Sequence, residues 1–463
     1  MEMEKERAYK AHVVVLPFPG QGHINPMVQF SKRLASKGIK ITVTTTLSNT
    51  KTMQAAGGGG GGSITFEPIY DDCSEGILAA GGGGGLMGYL EKFEAIGSRS
   101  LAELIRKLEC PVKCLVYDAN IVWALDIAKQ QGIAAAAFFT QSCAAIACYY
   151  PMHYDLSGDP LPLPAFPMPG LPQLPIPNLP SLGLDTGSYP PIIRYILRQF
   201  NNIDKADWVL FNSFDTLEEE VVKWMSNLWP VRTIGPTLPS VYLDNRVVND
   251  SDYGFNLYKP NTDTCMKWLN TKPAGSVVYV SFGSAATLNA QQMEEMAEAL
   301  KQNSSTSTFF LWVVKPTEEC KLPSNFVEET SEKGLVVTWC PQLEVLAHHA
   351  VGCFITHCGW NSTVEAISFG VPLVAMPQFL DQVTNAYFVE QFWGVGIKPE
   401  ADEKGLANRE EIYRCIREIM HGDRGQLIKK NAIRWRELAK EAVCQGGSSD
   451  KYIDEIIASF AAT

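Results

Sequence analysis

Two periods of apolar spacing run through the first 140 residues. The largely apolar segments Val13–Leu16, Lys113–Tyr117 and Ala134–Phe139 read as buried strands, and Ile39–Thr44 as the strand after the first. Between the first two, Met27, Phe30 and Leu34 form the apolar stripe of a helix over Pro26–Lys37, with Asn25 as N-cap, Pro26 at the first helical position and Gly38 closing it. From Asp263 the pattern restarts: a strand at Ser276–Ser281, a helix at Ala290–Lys301, then strands at Phe309–Val314, Leu335–Trp339, Gly352–Thr356 and Pro372–Met376. Strands alternating with helices predict parallel sheets covered on both faces, so the expected fold is α/β with two Rossmann-like domains. The expected bounds are 1–245, a linker at 246–262, 263–445, and a last helix within 446–463. That helix places Ile453, Ile456, Ile457 and Phe460 on one face after the Gly446-Gly447 break, and is expected to pack back on the first domain.

Three segments lack either period. The glycine runs Gly57–Gly62 and Gly81–Gly85 read as engineered loop replacements without chemistry, and LPLPAFPMPGLPQLPIPNLP, between Pro160 and Pro180, as an extended loop. The 463 residues carry a formal net charge of −11, with no cluster of Lys and Arg, which argues against nucleic acid as a partner. No apolar run approaches the ~20 residues of a membrane span, and MEMEKERAYK is unlike a secretory signal. The twelve cysteines are scattered without a Cys-x-x-Cys pair, Cys114, Cys340 and Cys353 lying in apolar strands. A cytoplasmic monomer with reduced thiols is the expectation.

Candidate chemistry begins at PFPGQGHINP, Pro17–Pro26. It has the strand–turn–helix form of a dinucleotide fingerprint, but Asn25 stands where the third glycine belongs and the next strand ends in Thr44-Thr45-Thr46, with no acidic residue for a ribose. His23 instead falls at the carboxyl edge of the sheet, where open α/β sheets bind ligands, and Gly20 and Gly22 permit close approach. Asp118 falls at the end of another strand. If the two strands are neighbours, Asp118 can accept the Nδ1 proton and leave Nε2 as a base; a structural turn histidine is the alternative. No G-x-S-x-G nucleophile elbow accompanies the pair, which favours action on a substrate hydroxyl. Phe18, Phe138, Phe139, Tyr149 and Tyr150 suit a hydrophobic acceptor, or else ordinary core.

The second candidate is WCPQLEVLAHHAVGCFITHCGWNSTVEAISFGVPLVAMPQFLDQ, residues 339–382. A strand runs into His357-Cys358-Gly359-Trp360-Asn361-Ser362-Thr363 and a helix follows, which makes an anion site. Glu365, one turn in, can take ribose hydroxyls, and Asp381 and Gln382 suit a sugar. Cys353, His357 and Cys358 lack a fourth ligand for a metal, and none is expected.

These forty-four residues resemble the plant secondary product glycosyltransferase box. With PFPGQGHINP, GSVVYVSFGS at Gly275–Ser284 and the C-terminal GGSSDK, the chain resembles plant family 1 UDP-sugar-dependent glycosyltransferases over nearly its whole length. The resemblance implies a glycosyltransferase type B fold, its sheets facing a central cleft, with the donor held mainly by the second domain. It implies Trp339 on uracil with Gln342 beside the nucleoside, Glu365 on the ribose, and His357, Asn361, Ser362 and Ser284 on the diphosphate. Asp381 and Gln382 would bind the sugar, Trp360 supporting it through its backbone and Thr140 approaching from the acceptor side. His23 and Asp118 match the family's base and its orienting carboxylate; Phe18, Gly22, Tyr149, Phe379 and Leu380 fall on the acceptor side. The chain departs from the family at Phe379, where Trp is frequent, and at Leu380, where a small residue follows. Gln382 is associated with glucose, so the implied co-substrates are UDP-glucose and a hydrophobic small molecule bearing a hydroxyl or carboxyl group, with no further cofactor. A non-catalytic sugar-nucleotide-binding protein would keep Trp339, Glu365 and Gln382 without needing His23 and Asp118. A nicotinamide-dependent oxidoreductase would need the missing fingerprint.

Overall fold

The computed structural model describes residues 9–55, 63–70, 85–157, 191–303 and 307–460. The glycine run 57–62, most of the run 81–85 and the proline-rich stretch 160–180 lie outside the described residues. Described residues up to Phe255, together with those from Ala442 onward, form one unit, and Asn256–Glu441 form another.

In the first unit, β1 (His12–Leu16), β2 (Lys40–Thr46), β3 (Ile64–Ile69), β4 (Val112–Asp118), β5 (Ala134–Phe139), β6 (Trp208–Phe211) and β7 (Val231–Thr233) make a parallel sheet of order β3-β2-β1-β4-β5-β6-β7. β1 is buried along its whole length, as a strand covered on both faces must be. Leu16 lies opposite Tyr117, so Asp118 is one step past the end of β1, and it pairs with Phe138 on its other side. The edge strand β3, ITFEPI, alternates buried Ile64 and Phe66 with exposed Thr65 and Glu67, and β7 has three residues, so neither is an unbroken apolar run.

Helix α1 spans Gln21–Ser36 and so starts five residues before the expected position. The Gly20 carbonyl accepts from both the His23 and the Ile24 N–H, at 2.9 Å each, which starts the helix. Asn25 is therefore a buried helical residue and not the N-cap, and Pro26 stands inside the helix. As a consequence His23 sits in the first turn of α1, not in a loop ahead of it. Gly20 is extended, at φ −126°, and a Cβ there would meet His23 at an ordinary 3.6 Å, so the backbone places no demand for glycine at this position.

The second unit has β8 (Val277–Ser281), β9 (Phe309–Val313), β10 (Gly334–Val337), β11 (Val351–Thr356), β12 (Leu373–Ala375) and β13 (Gly396–Ile397), parallel, in the order β10-β9-β8-β11-β12-β13. Its core gathers Val278, Val280, Trp312, Ile355 and Val374 from the strands with Met296, Leu300 and Ile416 from the helices. Cys353 is fully buried in this core, while Cys340 is buried in the turn after β10, outside any strand. No described helix is long and apolar enough to cross a membrane.

The helix Ser448–Phe460 buries Ile453, Ile456, Ile457 and Phe460 in the core of the first unit, beside Phe30 and Ile234. Ion pairs lock it to the end of α1 and to the segment after β7, which is itself tied to α1. Asp450 accepts from Lys37 at 2.7 Å and from Arg246 at 3.0 Å, and Arg33 holds Asp244 through both guanidinium nitrogens at 2.6 and 3.0 Å. Burial pushes the Asp450 carboxyl up, but the bonds from Lys37, the Gly446 N–H and Arg246 outweigh it, and its pKa lies below the ordinary value. A depressed carboxylate stabilises the fold above its unfolded pKa and loses that stabilisation as pH falls through the folded pKa. Asp450→Asn should therefore cost about 1.5–3 kcal/mol, read as a lower urea midpoint at pH 7. The gap to the unaltered protein should close as pH falls below about 4.

Candidate active site

Strand order reverses between β1 and β4 in the first unit and between β8 and β11 in the second. At such switch points the following helices leave toward opposite faces and a crevice opens at the carboxyl ends. The expected site residues of each unit gather at these two places.

In the first unit, α1 brings His23 to Asp118 at the end of β4. His23 Nδ1 lies 2.6 Å from Asp118 Oδ2 and 2.9 Å from Thr140 Oγ1, Thr140 following β5. The Asp118 side chain is 1% exposed and that of His23 28%. Asn120 donates to the other carboxylate oxygen from its backbone N–H and its side-chain amide, each at 3.0 Å, which fixes the plane of the carboxylate. A carboxylate only accepts, so Nδ1 carries the proton and the neutral ring keeps its lone pair on Nε2. Such an imidazole can take a proton from a hydroxyl placed against Nε2. Phe18 is half-buried with its ring 5.1 Å from that of His23, and Gly22 is exposed. Tyr149 is wholly buried within the helix Cys143–Ser157.

In the second unit, the turn after β11 stands between the turn after β8 and the segment after β12. His357 rests on two glycines: a Cβ on Gly283 would come within 2.7 Å of its ring and one on Gly359 within 2.5 Å. Gly359 is the N-cap of the helix Trp360–Phe369, whose first turn carries Asn361 and Ser362. Burial, reinforced by the positive charge of Lys315, pushes the His357 pKa down to about 4, so the ring is neutral at pH 7. Gln342 draws two further residues together, donating to Ser362 Oγ at 3.1 Å and to Glu365 Oε2 at 2.5 Å, while its own oxygen accepts from the Tyr279 hydroxyl at 2.8 Å. Trp339 packs against Tyr258, ring centroids 5.3 Å apart. The Trp360 ring is buried against Trp393, which leaves only its backbone near the turn. Asn385 ties Asp381 to this turn, donating to Asp381 Oδ2 at 2.9 Å and to the Cys358 carbonyl at 3.0 Å. Gln382 Oε1 accepts from the Gln378 and Phe379 N–H groups at 2.9 and 3.2 Å. Among the described residues no group of three His, Cys, Asp or Glu side chains could hold a metal ion.

The profile of the family described as UDP-glucoronosyl and UDP-glucosyl transferase matches residues 194–442, and that of the glycosyltransferase N-terminal domain matches 10–60. UDP-glucosyl transferase 74CD1 from Saponaria officinalis is 47% identical over 98% of this chain and 99% of its own length. The chain belongs to the plant family 1 UDP-glycosyltransferases. Mogroside I-E synthase from Siraitia grosvenorii is 46% identical over 96% of this chain and 98% of its own. Among solved structures, Os79 from O. sativa in complex with UDP superposes with a TM-score of 0.87 at 40% identity, over 97% of this chain and all of that one. The two units therefore have the glycosyltransferase type B fold, and the protein is a UDP-glycosyltransferase.

Sequence reasoning about this family 1 chain overlooked a network behind Ser284. Lys315, buried just past β9, donates to the Ala286 carbonyl at 2.6 Å and the Ser284 carbonyl at 3.3 Å. Lys321 donates to the Leu288 carbonyl at 2.7 Å, and Glu318 accepts from the Leu288 N–H at 3.1 Å. Two lysines and one glutamate thus clamp the turn after β8 and leave net positive charge beside His357. The signal was present: a lysine directly after the apolar run Phe309–Val314 must stand at the carboxyl edge.

The departure at Leu380 also gains a physical meaning. Its backbone has φ 55° and ψ −136°, a conformation that glycine adopts freely and that costs other residues about 1–3 kcal/mol. Phe379 beside it packs against the core of the second unit. Replacing Leu380 by Gly should give a more stable protein than replacing it by Ala, by about 1 kcal/mol, reversing the usual order. Thermal melting of the two variants side by side checks this; an alanine variant as stable as the glycine one would contradict the strain.

Proposed function

We propose that this enzyme transfers glucose from UDP-glucose to a hydroxyl or carboxyl group of a hydrophobic small molecule, with inversion at the anomeric carbon and His23 as general base. The observation that carries this reading is the His23–Asp118 pair, with Nδ1 engaged at 2.6 Å by a buried carboxylate and Nε2 left basic. A sugar-nucleotide-binding protein would not require this pair. The acceptor O–H gives its proton to Nε2 while its oxygen forms the bond to the anomeric carbon. The bond from that carbon to the diphosphate oxygen breaks, and UDP departs with the electron pair. Asp118 stabilises the imidazolium so formed.

Trp339, Gln342 and Glu365 would hold the nucleoside. Ser284, His357, Asn361, Ser362 and the helix N-terminus would hold the diphosphate, with Lys315 adding fixed positive charge behind the turn. Asp381, Gln382, the Trp360 backbone and Thr140 would address the sugar, and Phe18, Gly22, Phe379 and Leu380 the acceptor. The name of the Saponaria officinalis relative, a UDP-glucosyl transferase, supports glucose.

Mass spectrometry of products from UDP-glucose with a panel of phenols, terpenoid alcohols, steroids and carboxylic acids tests the proposal. Absence of any glucoside, with UDP-glucose still binding, would favour the binding-protein reading. His23→Ala should lower turnover of alcohol acceptors by about 10²–10⁴-fold while UDP-glucose still binds in calorimetry. An already ionised carboxylate acceptor should suffer less, and unchanged turnover of alcohols would sink the base assignment. Because protein groups supply the positive charge around the diphosphate, activity should persist in excess EDTA; activity lost to EDTA and restored by a divalent cation would refute this part.

A further inference from the structure

Gln199 is 3% exposed, yet neither its amide oxygen nor its amide nitrogen has a hydrogen-bond partner. A buried amide left unsatisfied at both ends carries a full desolvation penalty, so such a site normally takes a ligand group or a water. Its position in the fold indicates which. The helix Pro191–Leu197 runs into the turns Arg198–Phe200 and Ile203–Lys205, and Tyr195, Gln199 and Asn202 follow at helical spacing on one face. The two flanking members both bond to the loop that continues from Asp118. The Tyr195 hydroxyl donates to the Asn120 carbonyl at 3.2 Å, and the Asn202 amide donates to the Val122 carbonyl at 3.3 Å. Asn120 is the residue whose two N–H groups hold the Asp118 carboxylate. Gln199 therefore lies between two side chains anchored to the loop of the His23–Asp118 pair. A second orphan lies near that pair in sequence: the buried Asn25 Oδ1, two residues after His23, also has no partner.

An amide offers one acceptor and two N–H donors, which complements a group that both gives and takes a hydrogen bond. A hydroxyl does this, as does a hydroxyl beside a carbonyl. A carboxylate meets only half of it: it can accept from the N–H groups, as Glu365 does from Gln342, but it leaves the amide oxygen without a donor and brings a second negative charge toward buried Asp118. We infer that Gln199 binds a second oxygen function of the acceptor, apart from the hydroxyl that reacts, and that the acceptor is a neutral polyoxygenated molecule. The inference rests on the acceptor binding beside His23, as proposed above, and it narrows the acceptor class stated there. Sites built to pair a substrate hydroxyl discriminate strongly against analogues that lack it, because the buried partner is then left unpaired.

The test compares kcat/KM for matched acceptors, 7,4′-dihydroxyflavone against 7-hydroxyflavone and a steroid diol against the corresponding mono-alcohol, in the full-length enzyme with UDP-glucose. The unaltered enzyme should favour the dihydroxy member of at least one pair by about tenfold or more. In Gln199→Leu that ratio should fall to near one, and in Gln199→Met, of similar length, it should fall equally; UDP titration confirms that each variant is folded. A ratio that survives in either folded variant overturns the inference, as does a uniform loss on both members of each pair, the signature of a structural water. No preference in the unaltered enzyme overturns it as well. No glucoside from any acceptor refutes the transfer reading itself, whereas transfer with an unaltered ratio refutes only the role of Gln199.

Discussion

A parallel strand covered on both faces can offer polar chemistry at its ends and almost nowhere else. The rest of this structure follows from that constraint. β1 and β11 are buried nearly end to end, and every candidate group except Gln199 stands within a few residues of a strand's carboxyl end or in the helix that follows. Strand order then selects among those ends. Where neighbours are not consecutive, at β1 with β4 and β8 with β11, the edge is left open.

The two units put this opening to opposite electrostatic use. In the first, a buried carboxylate backs an imidazole, an arrangement suited to taking a proton. In the second, a helix N-terminus, a neutral histidine and a lysine-braced turn make an arrangement suited to an anion. Neither arrangement depends on a long polar loop. Each depends on short turns whose geometry is set by packing, as the two glycines seated against His357 show.

Much of this was legible in the chain. Apolar runs located the central strands to within a residue or two, and the residues at their carboxyl ends, Asp118 and His357 above all, fell at the two places where strand order reverses. The start of α1 was not legible, because Asn25-Pro26 satisfies local capping rules that the Gly20 carbonyl overrides by accepting two amides further back. The burial of Tyr149 was not legible, because an aromatic in an apolar helix does not declare which neighbour will cover it. Lys315 and Gln199 belong to a third kind. Their significance lies in partners some thirty or eighty residues away, or in the lack of any, and no local pattern encodes that.

Gln382 carries a consequence for how a ligand would be read. An amide side chain can usually turn over and exchange its oxygen for its nitrogen, and so can greet either a donor or an acceptor. Here two backbone N–H groups are committed to the oxygen, so the amide cannot rotate without abandoning both. What remains for a bound molecule is the nitrogen alone. Toward any bound molecule Gln382 would thus act as a polarity filter with a fixed sign, offering a donor and no acceptor. A side chain of the same shape that lacked the N–H₂ group would preserve the turn and still lose the filter.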